Sequence, residues 1–392
     1  MIKVMHVITT LGPAGAENML LRMALGMDEA RFQNEVVSLT GILDLADRMQ
    51  SMGVQVRSLG MKTRMPNPLA VTRLANWIQE SKPDVIQTWM YHSNLVGALA
   101  ARLAGDVPVV WGIHHNTFDP KVDKLRTRLV NRACALLSRR LPARIVCCSE
   151  ASYREHKRLG YDTNKLQIIP NGFDLDQIKP DPAGGMSVRE ELGIPARALV
   201  IGMAARFHPH KDHRNFLLAA ARLHKEIPEI HFLLCGLRVS WGNVELANWI
   251  DAAGIRERCH LLGTRRDMPR VFAAMDIATS ASNSEAFPIA IGEAMACGTP
   301  CVVTNVGDSA LIVDQTGVVV PRGDAAALAD GWKTLIQAGP MIRRWLGMKA
   351  RRRIGSHFAL PAIVERYQAI YGELAARTKR DLPSESLSEY AH

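Results

Sequence analysis

Short β-branched runs alternate with longer amphipathic stretches along this 392-residue chain, and the alternation breaks once before it resumes. Strands joined by crossover helices pair in parallel and are buried on both faces, so the pattern specifies a doubly wound α/β architecture. The periodicity predicts strands over 4–9, 35–39, 54–59, 85–88, 107–113 and 144–148, with helices such as 16–25, 68–80 and 94–104 between them. The break falls at 168–195, where IIPNGFD, a Pro/Asp run and Gly184-Gly185 supply turn and linker chemistry. Strand patterns return over 199–204, 230–235, 260–262, 277–279, 300–304 and 318–320. A chain of this length accommodates two such domains. The expected organisation is a first domain over 1–171, a linker over 172–196 and a second domain over 197–358. A helix over 359–377 is expected to pack back on the first domain, followed by a flexible polar tail over 378–392. Ligands of these sheets bind beyond the carboxyl ends of the strands, so chemistry is expected in a cleft between the two facing domains.

Hydrophobic residues at 47% and charged residues at 22% match a soluble globular protein and exclude disordered, collagen-like and coiled-coil chains. Aromatic residues make up 6%, too few for a protein that stacks on bases. The net charge of +10 is unevenly placed: residues 1–171 hold 22 Lys/Arg against 14 Asp/Glu, and 121–158 alone hold 11 against 3. One concentrated patch in the first domain points to anionic lipid head groups or a lipid carrier's diphosphate. No nucleic-acid partner is expected, because no binding motif accompanies the charge; the ordinary alternative is a solvated helix face. The seven cysteines are odd in number, sit mostly in apolar runs and form no CxxC pair. They fit reduced core residues better than disulfides or a zinc site. The opening MIKVMHVITTLG is a strand rather than a signal peptide, and no segment reaches 18 consecutive apolar residues. The expected location is cytoplasmic, either free or peripheral on the inner face of the cytoplasmic membrane.

Three segments carry residues suited to chemistry. Gly12-Pro13-Ala14-Gly15-Ala16-Glu17 follows the first strand and opens a helix, where backbone N–H groups and the helix dipole can face an anion. It is not GxGxxG, and Ser38-Leu39-Thr40 offers no acid for a ribose, which argues against dinucleotide binding; a plain strand-to-helix turn is the bland alternative. Arg206-Phe207-His208-Pro209-His210-Lys211-Asp212 ends the first strand of the second domain. Two cations beside a helix start make a diphosphate cradle, with each charge-assisted bond contributing about 1.5–3 kcal/mol. Asp212 would cap that helix. The most specific segment is SEAFPIAIGEAMACGTP, from Ser284 to Pro300. Pro288 suits the first helical position, leaving Glu285 in the preceding loop and Glu293 in the second turn, while Gly298 and Pro300 stop the helix. The two carboxylates therefore suit different parts of one elongated ligand. Among Ala290, Ile291, Ala294 and Met295, Glu293 is expected to be partly buried and in need of a partner. Asp174-Leu175-Asp176 matches a DxD pattern by letters, but it follows Asn171-Gly172 and a turn is its expected role.

Arg-x4-Lys after a strand, Glu-x7-Glu before CGTP, the IIPNGFD segment and the Gly-Pro-Ala-Gly-Ala-Glu loop stand here in one order. Over about residues 1–375 they resemble the retaining glycosyltransferases of family 4. TWMYHSNLVGALAARLAG, IVCCSEA and GEAMACGTPCVVTNVGDSA resemble the bacterial members that build lipopolysaccharide, O-antigen or capsule. The resemblance implies a GT-B fold: two Rossmann-like domains facing across a cleft, the first binding the acceptor and the second the nucleotide sugar. It implies a hexosyl or N-acetylhexosaminyl transferase, with a nucleotide-diphosphate sugar, UDP-linked in preference, as donor. The acceptor would be a hydroxyl of a lipid-linked or oligosaccharide precursor.

By the same resemblance Arg206 and Lys211 would hold the diphosphate, Glu285 the transferred sugar and Glu293 the ribose. Ala286, Phe287, Pro288 and Ile289 would line the donor site with them. Gly15 would place its amide at the phosphate or acceptor side, with Gly12 and Glu17 also on the acceptor side. Gly263, Thr264, Arg265 and Arg266 would border the base. A strand-end histidine of Trp111-Gly112-Ile113-His114-His115, either His114 or His115, would face the reacting sugar. Ala286 stands where the family often has Gly, and Ile289 where the bacterial subgroup has Asn, so the pattern leaves the sugar open. No cofactor is implied and no metal is expected, since cations can neutralise the leaving group. The rival readings are a GT-B sugar-nucleotide epimerase and, in a different class, a non-catalytic nucleic-acid- or membrane-binding protein.

Overall fold

The computed structural model describes residues 1–12, 15–41, 44–61, 68–116 and 124–381. Pro13 and Ala14, the first three residues of the basic 121–158 stretch and most of the expected tail lie outside the described residues. The first sheet has seven strands: β1 (Ile2–Ile8), β2 (Phe32–Ser38), β3 (Gln55–Ser58), β4 (Val85–Trp89), β5 (Val109–Ile113), β6 (Arg144–Cys147) and β7 (Leu166–Ile168). The second has six: β8 (Val200–Ala204), β9 (His231–Cys235), β10 (Cys259–Leu261), β11 (Ile277–Ser280), β12 (Cys301–Thr304) and β13 (Val318–Val320). Their spatial orders are β3-β2-β1-β4-β5-β6-β7 and β10-β9-β8-β11-β12-β13, with parallel pairing throughout. Each order reverses beside the sheet's first strand, at β1/β4 and at β8/β11, which puts a crevice at the carboxyl ends of both. The central strands β4, β5 and β9 are buried along their whole length, as strands covered on both faces must be.

The expected strands form within one to three residues of the predicted bounds. β7 is an addition: three residues pairing with β6 at the sheet edge, just where the sequence pattern breaks into linker chemistry. Within 172–196, expected as a linker, Phe173 is fully buried and Pro182–Glu191 is a helix. That helix packs on the Met268–Ala273 helix, and Arg189 pairs with Asp276 at 2.8 Å. Gly185 is there for close approach rather than for a turn, because a Cβ on it would lie 2.5 Å from the Ala273 carbonyl. The chain passes between the domains twice at one place. Phe173 N donates to Phe358 O and Leu360 N to Phe173 O, each at 2.9 Å.

The returning Leu360–Asp381 helix buries Leu360, Ile363, Val364, Tyr367, Ile370, Tyr371 and Leu374, spaced three and four apart, in the first domain's core. Tyr371 Oη donates to Gln87 Oε1 at 2.9 Å, which satisfies two otherwise buried polar groups. All seven cysteines are buried free thiols, and burial pushes Cys134, Cys147 and Cys259 up to about 12. No helix among the described residues is long and apolar enough to cross a membrane.

Candidate active site

The second domain's side of the cleft is built on the carboxyl ends of β8 and β11. After Ala204 the chain runs through Arg206 into a 3₁₀ turn, Pro209–Lys211, and then the His213–Glu226 helix. Asp212 takes a left-handed conformation at φ 47° and caps that helix, accepting from Asn215 N at 3.1 Å. Its other oxygen accepts from Asn283 Nδ2 at 2.8 Å, and His210 O accepts from Asn283 N at 2.8 Å. These bonds tie the loop after β8 to the loop after β11. On the second loop Ser282 Oγ donates to Glu285 Oε1 at 2.8 Å, and Lys211 forms an ion pair with the same oxygen. Lys211, Glu285, Pro288 and Ile289 border one cavity of about 30 Å³, with Ala204 and Ser282. That space suits water and a small anionic group, so a longer ligand has to extend outward. Arg206 stands exposed on the same strand end and has no ion-pair partner among the described residues.

The following helix spans Ile289–Ala296, so Pro288 precedes the first helical position instead of occupying it, because its ψ of 84° is not helical. Pro288 O accepts from Ile291 N at 3.1 Å and Gly292 N at 3.2 Å, which leaves the Ile289 and Ala290 amides as unbonded donors. Phe287 is buried between Phe173 and Phe358, at ring distances of 6.1 and 5.6 Å, and serves the core. Ala286 O accepts from Asp308 N at 3.2 Å.

Several groups of the first domain reach this edge. A Cβ on Gly15 would lie 3.0 Å from Ile289 Cδ1, so the start of the Gly15–Gly26 helix faces the start of Ile289–Ala296. Gly12 and Glu17 lie half-buried beside it. Asn116 Nδ2 donates to Glu285 O at 3.0 Å. Glu293, expected to find its partner in ribose hydroxyls, is ion-paired instead with Arg22 of the first domain, whose guanidinium also reaches Gly172 O at 3.4 Å and lies 6.0 Å over the Phe173 ring. Asp308 of the second domain accepts from Glu150 N at 2.8 Å and Ala151 N at 2.9 Å, capping the first domain's Glu150–Arg158 helix. Its burial raises its carboxyl pKa.

The two candidate histidines differ. His114 stacks on Trp89 at 5.1 Å, and both its ring nitrogens are buried without a hydrogen-bond partner. Burial pushes its pKa down to about 4, and the neighbouring Asn171 side chain only partly opposes that shift. It is therefore a neutral imidazole at pH 7, with one donor and one acceptor unused. His115 packs edge-on to Tyr91, and its Nδ1 meets Asn116 O at 3.3 Å.

The loop expected to border the base is held largely by its own bonds and ion pairs. Gly263 is hydrogen-bonded on both sides, to Gly236 and Val239, and Thr264 is exposed. Arg265 is occupied by Glu191 at 2.6 Å and Asp267 at 2.8 Å, and these hydrogen bonds hold its guanidinium pKa above the usual range. Arg266 borders a groove of about 420 Å³ whose opposite wall is Asp47, Arg48 and Ser51 of the first domain. Asp174 Oδ1 accepts from Asp176 N and Gln177 N at 3.0 and 3.1 Å, the turn expected of the DxD letters. Among the described residues no group of three His, Cys, Asp or Glu could hold a metal ion. Arg22, Asn116, Asn283 and Asp308 were not singled out from sequence. Nothing in their local pattern marks them, since each acts on a residue more than 70 positions away.

Known proteins share this arrangement. The family model described as Glycosyltransferase Family 4 matches residues 13–177, and that described as Glycosyl transferases group 1 matches residues 187–353. The UDP-Gal:alpha-D-GlcNAc-diphosphoundecaprenol alpha-1,3-galactosyltransferase of Escherichia coli is 28% identical over 281 residues, 71% of each chain. A D-inositol 3-phosphate glycosyltransferase of Salinispora arenicola is 27% identical over 412 residues, 93% of this chain and 88% of its own. Among solved structures, Anabaena HepE in complex with UDP and glucose superposes with a TM-score of 0.83 at 23% identity, covering 95% of this chain and all of its own. Sucrose-phosphate synthase of Thermosynechococcus elongatus superposes at 0.79 and 19% identity, covering 96% and 100%. One family model falls on each parallel-sheet domain, and the segment that lines the cavity lies inside the second match. This chain is a glycosyltransferase of family 4 with the GT-B fold.

Proposed function

We propose that the chain moves a hexosyl or N-acetylhexosaminyl unit from a UDP-sugar to a hydroxyl of a lipid-linked precursor of a bacterial surface polysaccharide. The observation that carries this reading is the cavity where Lys211 and Glu285 meet the unbonded Ile289 and Ala290 amides. An anion entering it meets a cation and two aligned N–H donors, and competes with Glu285 for Lys211. The Escherichia coli relative, a UDP-Gal:alpha-D-GlcNAc-diphosphoundecaprenol galactosyltransferase, supports these donor and acceptor classes, and the Anabaena neighbour holds UDP and glucose.

As the glycosidic bond to the diphosphate breaks, negative charge grows on the departing oxygen. Lys211, Arg206 and the helix amides stabilise that charge, and Glu285, once released from Lys211, accepts from sugar hydroxyls. Neutral His114 supplies a donor and an acceptor to the same sugar without titrating near pH 7. Among the described residues we find no side chain placed as an enzyme nucleophile, so a same-face route, with the leaving phosphate assisting deprotonation of the acceptor, would account for retention. The first domain, 1–171, would hold the acceptor and 197–358 the donor, and no metal is needed where the cations stand.

The Leu125–Leu137 helix adds a lipid-facing surface. Leu125, Leu129 and Leu136 are exposed on it among Arg126, Arg128 and Arg132, and each basic residue near an anionic leaflet contributes about 1 kcal/mol. This would seat the enzyme peripherally on the cytoplasmic membrane.

Thermal unfolding with UDP, GDP, ADP and their sugars tests the donor. A true ligand at 100 times its Kd adds about 2.7 kcal/mol of stability, and no shift with UDP would reject the assignment. UDP-GlcNAc incubated without acceptor must come back unchanged, since a changed sugar would mean an epimerase. Activity undiminished by EDTA is expected, and loss restored by manganese would overturn the metal-free route.

A further inference from the structure

The Gly339–His357 helix, GPMIRRWLGMKARRRIGSH, carries six Arg/Lys and no Asp or Glu. Three of the six work inward. Arg343 donates to the carbonyls of Leu335 and Ile336 at 3.2 Å, Arg351 to those of Ile178 and Leu175 at 3.0 and 3.1 Å, and Arg353 to those of Ile312 and Leu311 at 2.9 and 2.6 Å. Arg344, Lys349 and Arg352 are exposed, and none has an ion-pair partner among the described residues. At 3.6 residues per turn, positions 341, 345, 348 and 352 fall within about 60° of one another. Met341, Trp345 and Met348 stand on that strip 82%, 47% and 51% exposed. Arg352 extends the row, Arg344 and Lys349 flank it, and Lys349 Nζ lies 4.1 Å from the centroid of the Trp345 ring.

A row of large apolar side chains left in water and edged only by cations marks an interaction surface. We infer that this face of the second domain rests on an anionic lipid bilayer. Trp345 sits at head-group depth, Met341 and Met348 enter the acyl boundary, and Arg344, Lys349 and Arg352 meet lipid phosphates. The flanks decide for lipid: the helix itself has cations on both sides of the apolar strip and no acid, and Asp314 of the neighbouring turn is taken up by Arg353 at 3.1 Å, off the strip. The Leu125–Leu137 face belongs to the other domain, so the inference stands whichever donor is used and whether or not that face binds lipid.

Trp345 and Trp241 are the exposed tryptophans among the described residues, which makes fluorescence a local probe. The full chain is mixed with vesicles of phosphatidylcholine and phosphatidylglycerol whose acyl chains are brominated. Emission should be quenched, and most of the quenching should vanish in Trp345→Phe, which keeps the apolar bulk. Joint Arg344→Ala, Lys349→Ala and Arg352→Ala changes should weaken sedimentation with these vesicles about five-fold per charge removed, with folding temperature unchanged. Absence of vesicle binding, equal binding to pure phosphatidylcholine, or binding with quenching that Trp345→Phe leaves intact would each overturn the inference. So would sedimentation-velocity evidence that these residues instead hold two copies of the chain together, with no effect on lipid.

Discussion

At the second domain's edge of the cleft the polar groups are charged and most are already paired, Lys211 with Glu285 and Arg265 with Glu191 and Asp267, while Arg206 has no ion-pair partner among the described residues. At the first domain's edge the corresponding group is a neutral imidazole, His114, with neither ring nitrogen bonded. Behind it His6 and His156 are also buried, and burial pushes both down to about 4. The difference follows from what each edge would meet. A diphosphate carries fixed charge, and preorganised cations stabilise more of it as the bond breaks. A sugar presents hydroxyls, for which a neutral donor and acceptor suffice without attracting a counter-ion. Arg22, also on the first side, spends its charge across the boundary on Glu293.

The largest expected effect tests the charged edge. Lys211→Ala should lower kcat/KM by about 10²–10³, or about 2.7–4 kcal/mol, and shrink the UDP-induced thermal shift. Unchanged turnover would break the contrast between the edges. The neutral edge predicts the opposite kind of result. His114→Gln keeps a donor and an acceptor and should stay within about ten-fold of wild type. The rate should also run flat from pH 8 to 6, because His114 does not titrate there. A rate limb near pH 6 that His114→Gln removes would show a charged histidine at work.

Buried histidines make both domains acid-sensitive: burial pushes His6 and His156 of the first and His213 and His231 of the second down to about 4. A histidine whose folded pKa lies near 4 and whose unfolded value is near 6.5 holds full stability above 6.5. It loses that stability as pH falls toward 4, because the unfolded chain takes up the proton first. At pH 5.5 this amounts to about 1.4 kcal/mol for each of His6 and His156. Hydrogen exchange followed from pH 7 to 5.5 should therefore show both sheets losing protection, β1 and β4 through His6 and His156 and β8 and β9 through His213 and His231. Loss confined to one sheet would refute this shared acid sensitivity and expose a real difference between the domains.

The doubly wound sheets were legible in the sequence because strand and helix periods are local properties, and β1, β8 and β13 carry clear ones. The boundary region was not. Gly184-Gly185 has the letters of a turn, yet Gly185 lies in a helix because the Ala273 backbone leaves no room for a Cβ. Lys211 and Glu285 were legible as separate motifs, and the fold adds that they meet. Arg265 was legible only as a cation: Asp267 stands two residues on, but Glu191 lies on a helix that meets it only after folding. His114 and His115 are adjacent in sequence and differ in what surrounds them, which no local pattern encodes.

The smallest expected effect concerns how the two edges are held together. The Glu150–Arg158 helix has two caps of different origin: Ser149 Oγ accepts from Ser152 N at 3.0 Å within the first domain, while Asp308 reaches over from the second. Each cap is worth about 1 kcal/mol, so Ser149→Ala and Asp308→Ala should lower Tm by similar small amounts. Only the second should also raise KM for the donor and speed exchange at the Glu150 and Ala151 amides, because only that bond draws the charged edge toward the neutral one. If Ser149→Ala raises KM equally, the Asp308 bonds cap a helix and do nothing to align the domains.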